Sequence, residues 1–142
     1  MPDEFIETVI QRAREALSLS GETPGRSVYV ARLDRPGSGY YLVIFGAEDA
    51  TVGVAAVDAA RGELIGHARL PGSGPHLPVT AEDASRYTGA AATGTPRLVW
   101  RPCKASYSML SPFWEVATLT GPIYIDQQGY QWTLLESGGP GG

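Results

Sequence analysis

The sequence predicts an α+β fold made of two repeats, each a helix followed by four strands. The apolar spacing changes from helical near the N-terminus to alternating further along, and a Pro- and Gly-rich break separates two segments with the same order of elements. We therefore expect a first repeat over residues 1–70, a linker over 71–79, a second repeat over 80–136 and a disordered tail over 137–142. A largely antiparallel sheet with both helices on one face would bury both repeats.

The first repeat opens on an amphipathic helix. Phe5, Val9 and Ala13 recur at helical spacing between charged residues, and Gly21 suits the end of the helix. Alternating apolar runs then predict strands over residues 27–33, 40–46, 52–58 and 63–70. The segments between these runs are short enough for hairpins, so we expect an antiparallel meander.

The second repeat begins with a helix-capping signal. Asp83 follows Thr80 by three residues, an acidic variant of the capping box, and Val79 can pack against Ala84. These residues predict a short helix over residues 81–89. Strands are expected over residues 97–101, 112–119, 123–126 and 130–135.

The last hairpin of each repeat has the same kind of turn. An apolar residue precedes Asp58 and Asp126, and Gly62 and Gly129 close the two turns before a new strand begins. The aspartate is expected to accept backbone hydrogen bonds and the glycine to take a positive φ. Matching turns at matching places indicate a duplicated unit.

A helix followed by antiparallel strands and an apolar-Asp-x-x-x-Gly turn resembles the PepSY family and the wider cystatin-like group. A tandem pair of such units is similar in layout to the beta-lactamase inhibitory proteins, and the first half to small bacterial immunity proteins. The resemblance covers most of residues 3–136. It implies a protein that binds or restrains another protein through its sheet and loops. In the inhibitor architecture the first-half hairpin is an insertion loop, which implies partner contacts for Glu48 and Asp49.

Composition excludes several function classes. Fifteen acidic residues outnumber eleven basic ones, which form no dense cluster, so we expect no nucleic-acid partner. No apolar stretch approaches the roughly 18 residues of a membrane span, so we expect no membrane partner. A single cysteine excludes a disulfide scaffold. The acidic, amphipathic start lacks the pattern of a secretory signal, which predicts a cytoplasmic protein.

Candidate chemical groups are sparse. His67 and His76 lie nine residues apart, unlike the close ligand pairs of zinc motifs, and Cys103 between flanking cations has no cysteine-protease signature around it. We therefore expect no catalytic residue, no metal and no cofactor, and a non-enzymatic protein is favoured over an enzyme. The alternative is a small-ligand-binding or enzymatic cystatin-like protein with a pocket near His67, which Asp58 could help to line.

Surface residues carry the functional prediction. Trp114 alternates with Phe113 along its strand, so one of these aromatics faces away from a covering helix, unless both pack beneath it. The Ser-rich insertion over residues 104–111 either exposes its apolar residues or tucks them into the core. Partner contacts are predicted for Glu48, Asp49, Tyr107, Met109 and Trp114.

These residues predict a non-enzymatic module that binds another protein, as an inhibitor or immunity-type factor. Its open sheet face and loops would make the contact. The chain itself would be a monomer or a homodimer.

Overall fold

The computed structural model describes residues 2–89 and 92–135 and shows an α+β fold. The elements in chain order are α1 (Pro2–Ala16), β1 (Gly25–Arg32), β2 (Gly39–Ala47), β3 (Ala50–Asp58), β4 (Leu64–Arg69), α2 (Ala81–Thr88), β5 (Arg97–Trp100), β6 (Phe113–Val116), β7 (Ile123–Ile125) and β8 (Gln131–Trp132). The strand pairs whose register is described are all antiparallel. The α+β class, the antiparallel pairing and the order of the elements along the chain are confirmed.

The chain divides into two compact units. The first comprises Met1–Ala31 and Gly37–His76, and the second comprises Arg32–Pro36 and Leu77–Gly142. The predicted linker over 71–79 contains neither helix nor strand. Within the first unit part of this segment is tied to the start of β3, because Thr51 N donates to the carbonyl of Gly74 over 3.0 Å.

The first unit is a four-stranded meander in the order β4-β3-β2-β1. Helix α1 buries Val9 and Ala13, together with Leu17 directly after its last residue, against residues of β2 and β3. These three positions are spaced by four residues, so they lie along one stripe of the helix. The predicted amphipathic helix is confirmed.

The side of β2 that faces away from α1 is also buried. Val43 and Phe45 belong to the cluster under α1, whereas Tyr40, Leu42 and Ile44 alternate with them and are buried too. The expectation of an open sheet face is therefore wrong for this strand. An uninterrupted apolar run such as that of β2 is typical of a strand buried on both faces. An antiparallel meander alone would have allowed one face of this strand to be open to solvent.

The second unit has its strands in the order β5-β6-β7-β8. The capping box is confirmed, since Asp83 N donates to Thr80 Oγ1 and Thr80 N donates to Asp83 Oδ2, each over 3.1 Å. Helix α2 places Ala84 in a buried cluster with Val79, Val116 and Ile125. The predicted contact between Val79 and Ala84 thus forms part of this core.

All four strands of the second unit are shorter than predicted, β5 and β7 by one residue and β6 and β8 by four. Strand β6 ends at Val116, because Thr118 and Gly121 close a tight turn with backbone hydrogen bonds of 3.2 Å in both directions. Strand β8 has two residues in place of the six predicted. The predicted tail over 137–142 lies outside the described residues, as does residue 136 of the second repeat.

Both aspartate turns form as expected. Asp58 Oδ2 accepts the N–H of Arg61 over 2.7 Å, and Asp126 Oδ1 accepts the N–H of Gln128 over 2.9 Å. The closing glycines have positive φ, 70° at Gly62 and 87° at Gly129. The sequence motif therefore predicted the local turn geometry correctly.

Candidate functional site

The insertion between β5 and β6 is an ordered loop, here named the serine loop (residues 104–111). Its first turn is closed by a pair of hydrogen bonds, from Cys103 N to the carbonyl of Ser106 over 3.2 Å and back from Ser106 N over 3.1 Å. Cys103 is completely buried, so it anchors the start of the loop in the core of the second unit.

Three serines then fix the path of the loop. Ser106 Oγ donates to the carbonyl of Ser108 over 3.1 Å, and Ser108 Oγ accepts the N–H of Leu110 over 3.1 Å. Ser111 N donates to the carbonyl of Ser108 over 3.0 Å. Short hydroxyl side chains form such local bonds readily, and here they replace the ladder that a strand would supply.

The serine loop presents one aromatic side chain to solvent. Tyr107 is 62% exposed, whereas Met109 and Leu110 are half-buried. Of the two partner contacts predicted on this loop, Tyr107 is thus exposed to solvent and Met109 is partly buried. Both outcomes weighed from the sequence occur, exposure for the tyrosine and partial burial for its apolar neighbours.

A polar hollow of about 250 Å3 lies beside the loop, between its serines and the β7–β8 turn. The amide of Gln127 in its wall is already engaged, because Oε1 accepts from Val79 N and Nε2 donates to the carbonyl of Pro112. Ser106 and Ser111 also line the hollow. Because Ser106 Oγ already donates to the carbonyl of Ser108, the hydroxyl that the hollow offers a small polar group is that of Ser111.

The carboxylate of Asp126 borders the same hollow but serves the structure. It is buried and accepts three hydrogen bonds, from Gln128 N and Tyr130 N at Oδ1 and from Trp132 Nε1 at Oδ2. A carboxylate with these donors positions the turn and has little capacity left for a ligand.

Trp114 lies on the side of β6 that α2 covers. Its Nε1 donates a 2.7 Å hydrogen bond to the carbonyl of Val79, and its ring packs against the cluster that contains Ala84. The expectation that it faces open solvent is therefore wrong. The short α2 covers little of the sheet by itself, and the indole fills the remaining gap.

Glu48 and Asp49 form the tip of the β2–β3 hairpin, as predicted, and both are exposed. A β-bulge between Phe45 and Gly46 precedes the tip. Because a bulge increases the local twist of a strand, the backbone at this bulge sets the direction in which the hairpin tip projects. The pair thus presents two carboxylates to solvent at the end of the β2–β3 hairpin.

A polar chain crosses three strands of the second unit. Arg97 Nε donates to Glu115 Oε1 over 2.7 Å, and Glu115 also hydrogen bonds the hydroxyl of Tyr124. Burial, with a further contribution from the Glu115 charge, raises the pKa of Tyr124 above its usual value. The sequence did not indicate this chain, because only the strand register brings Arg97, Glu115 and Tyr124 side by side.

Of the groups considered for other chemistry, His67 lies on β4 and Cys103 directly precedes the serine loop. His67 is exposed on β4 and does not line the hollows beside the serine loop, α1, α2 or the β1–β2 turn. Within residues 2–89 and 92–135, no three His, Cys, Asp or Glu side chains gather into a group that could hold a metal ion. The buried thiol of Cys103 is shielded from solvent.

Comparison with protein-family models, with curated proteins and with solved structures found no match to this chain. Neither helix in the described part of the chain is long and apolar enough to cross a membrane. The geometry of the loops therefore carries the functional inference.

Proposed function

We propose that the chain is a non-enzymatic protein-binding module, an inhibitor or immunity-type factor built as a tandem pair of PepSY-like or cystatin-like repeats. The observation that carries this proposal is the exposure of Tyr107 on a loop whose backbone is already fixed by its own serines. The helix-plus-four-strand content of each unit is consistent with the repeat part of the proposal.

A fixed loop with an exposed tyrosine has the physical properties of a binding anchor. Tyrosine combines a large apolar ring with a hydroxyl, and it is enriched among residues that dominate binding energy. Ordering a flexible loop on binding costs affinity, and the hydrogen bonds of Ser106 and Ser108 remove much of that cost in advance. A solvated tyrosine has little other reason to be held in this way.

The acidic hairpin tip supplies the second part of the proposal. Glu48 and Asp49 are exposed and belong to a chain of net charge −4, so they would attract a basic surface and accelerate association. Trp114 and Met109 are given no direct partner contact in this proposal, because both are partly buried and Trp114 is hydrogen bonded within the second unit.

The test of the anchor is quantitative affinity capture from the native cell extract with the wild type, Tyr107→Ala and Tyr130→Ala. Tyr130 is a matched control, since its 63% exposure equals that of Tyr107 within one percentage point. We expect Tyr107→Ala to lose the captured protein at least about tenfold, as for a hot-spot residue, and Tyr130→Ala to retain it. Thermal unfolding of each variant checks that the fold is intact.

The acidic tip is tested separately with Glu48→Gln and Asp49→Asn combined. We expect slower association and a weaker dependence of the association rate on salt, with little change in dissociation. Equal loss of capture in the Tyr107 and Tyr130 variants, or none in either, would contradict the anchor assignment. Unchanged salt dependence in the neutral variant would remove the tip from the contact.

A further inference from the structure

A hollow of about 250 Å3 lies at one end of the first unit's sheet, between the β1–β2 turn and the β3–β4 turn. The functional groups in its wall come from the side chains of Tyr29, Ser38 and Asp58, and glycine and alanine residues form the rest. His67 does not line it, so it differs from the pocket expected near that histidine. A concave site with a few convergent polar groups is typical of small-ligand binding.

Tyr29 is an aromatic wall of the hollow that is held in place although it is 49% exposed. Its ring meets the ring of Tyr41 edge to face, with 5.7 Å between the centroids, and Tyr41 in turn contacts Phe5 of α1. The Tyr29 hydroxyl lies so close over Gly39 that a Cβ there would collide with it. Because these contacts already order the ring, binding a ligand against it costs little side-chain entropy.

The polar groups of the hollow have hydrogen-bonding capacity left for a ligand. Asp58 is half-buried and engages one carboxylate oxygen, since Oδ2 accepts the N–H of Arg61 over 2.7 Å. Within the described part of the chain, no basic side chain forms a salt bridge with Asp58. The hydroxyls of Tyr29 and Ser38 likewise have no hydrogen-bond partner among the described residues. A half-buried carboxylate without a counter-ion attracts a cation.

We propose that this hollow binds an organic ammonium group, with the carboxylate of Asp58 and the ring of Tyr29 as its two main contacts. A tyrosine ring attracts a cation that is placed over its face. The N–H groups of the ammonium can donate to Oδ1 of Asp58 and to the hydroxyl oxygens of Tyr29 and Ser38. The site thus combines charge, hydrogen bonding and an apolar surface, as an amine on a carbon chain requires.

Other classes of ligand match the wall of the hollow less well. An anion would be repelled, because the wall contains a carboxylate and no basic side chain. A neutral alcohol could use the hydroxyl groups but would gain neither the attraction of Asp58 nor that of the Tyr29 ring for a cation. Calcium takes about six to eight oxygen ligands, whereas one carboxylate is the only charged group here.

The probes for this site are butylammonium, 1-butanol and butyrate at neutral pH, which share a carbon chain and differ in the terminal group. Binding to the full chain is measured by NMR from the backbone amides of Tyr29, Gly39 and Ala60. We expect butylammonium to shift these amides with a Kd of about 1–10 mM, and the other two probes to bind at least about tenfold more weakly. The affinity of acetyl-lysine methylamide relative to butylammonium distinguishes a protein lysine from a free amine as the source of the ammonium.

Substitutions separate the two main contacts. Asp58→Asn removes the charge, and we expect the Kd of butylammonium to rise at least about fivefold. Asp49→Asn removes the same charge from the exposed β2–β3 tip and is expected to leave this Kd unchanged. Tyr29→Leu is expected to raise it about two- to fivefold, whereas Tyr29→Phe keeps the ring and most of the affinity. Thermal unfolding checks that each variant is folded.

Two results would overturn the proposal. One is that butylammonium at up to about 100 mM shifts none of these amides or binds no more tightly than 1-butanol. The other is that neither Asp58→Asn nor Tyr29→Leu weakens its binding in folded protein.

Discussion

The indole Nε1 of Trp114 donates a 2.7 Å hydrogen bond to the carbonyl of Val79. This bond ties strand β6 to the residue that immediately precedes the N-cap of α2. Trp114, which the sequence predicted as a partner contact, thus holds β6 to the start of α2 within the second unit. The same residue pair explains why the short α2 stays on its sheet, since Val79 also packs in the core cluster.

Trp114→Phe keeps an aromatic ring and removes this hydrogen bond. We expect the free energy of unfolding to fall by about 1–2 kcal/mol, because the carbonyl of Val79 loses its donor and the smaller ring leaves space. Urea unfolding measures the change. Tyr130→Phe removes an exposed hydroxyl and serves as the control, and equal stability of the two variants would contradict the structural role of Trp114.

Asp126→Asn tests the buried carboxylate of the second turn. The amide oxygen can still accept from Gln128 N and Tyr130 N, but the NH2 group would then face the N–H of Trp132, which loses its acceptor. We expect a loss of about 1–3 kcal/mol in the free energy of unfolding. Asp58→Asn is the matched variant in the more exposed first turn, and we expect a smaller loss there. The opposite order in chemical denaturation would show that burial does not decide the cost.

Gly46→Ala tests the bulge that leads to the acidic hairpin tip. Gly46 has a φ of 117°, and an added Cβ would lie 2.4 Å from the carbonyl oxygen of Ala50. We expect a loss of at least about 2 kcal/mol in stability, since the backbone itself must move. Gly66→Ala is the control, because nothing lies within 4 Å of its Cβ position. Thermal unfolding of both variants should separate them clearly, and equal melting temperatures would contradict the strain at Gly46.

Tyr124→Phe tests the polar chain at alkaline pH. Burial, aided by Glu115, raises the pKa of Tyr124 in the folded protein above its unfolded value of about 10. The stability linked to its proton is therefore fully present below pH 10 and is lost as the pH rises through the folded pKa. We expect the wild type to lose stability faster than Tyr124→Phe above about pH 10, measured by denaturant unfolding at several pH values. Parallel curves for the two proteins would contradict the raised pKa.

Local structure followed the sequence most closely. The cap of α2 and the two aspartate turns were predicted residue by residue, because each depends on hydrogen bonds within a few positions of the chain. Strand positions were also predicted well in the first unit. The lengths of β6 and β8 were not, since a turn at Thr118 to Gly121 ended the first of them early.

The candidate site was predicted only in part. Glu48, Asp49 and Tyr107 are exposed as expected, because hairpin tips and polar insertions lie at the surface. Trp114 was assigned to the wrong face, since alternation separates two faces without saying which one a helix covers. The side-chain network of Arg97, Glu115 and Tyr124 was not predicted, because these residues are neighbours only across strands.

The sequence by itself determined the helices, the strand order along the chain and the turns, all of which depend on short-range periodicity and local hydrogen bonding. Only the tertiary structure decided which aromatic side chains are exposed to solvent and which are buried. It also decided which strands lie at an edge of the sheet. These properties depend on contacts between residues far apart in the chain. Tyr107 remained at the surface and Trp114 did not, because a carbonyl 35 positions away from the indole was there to accept its N–H.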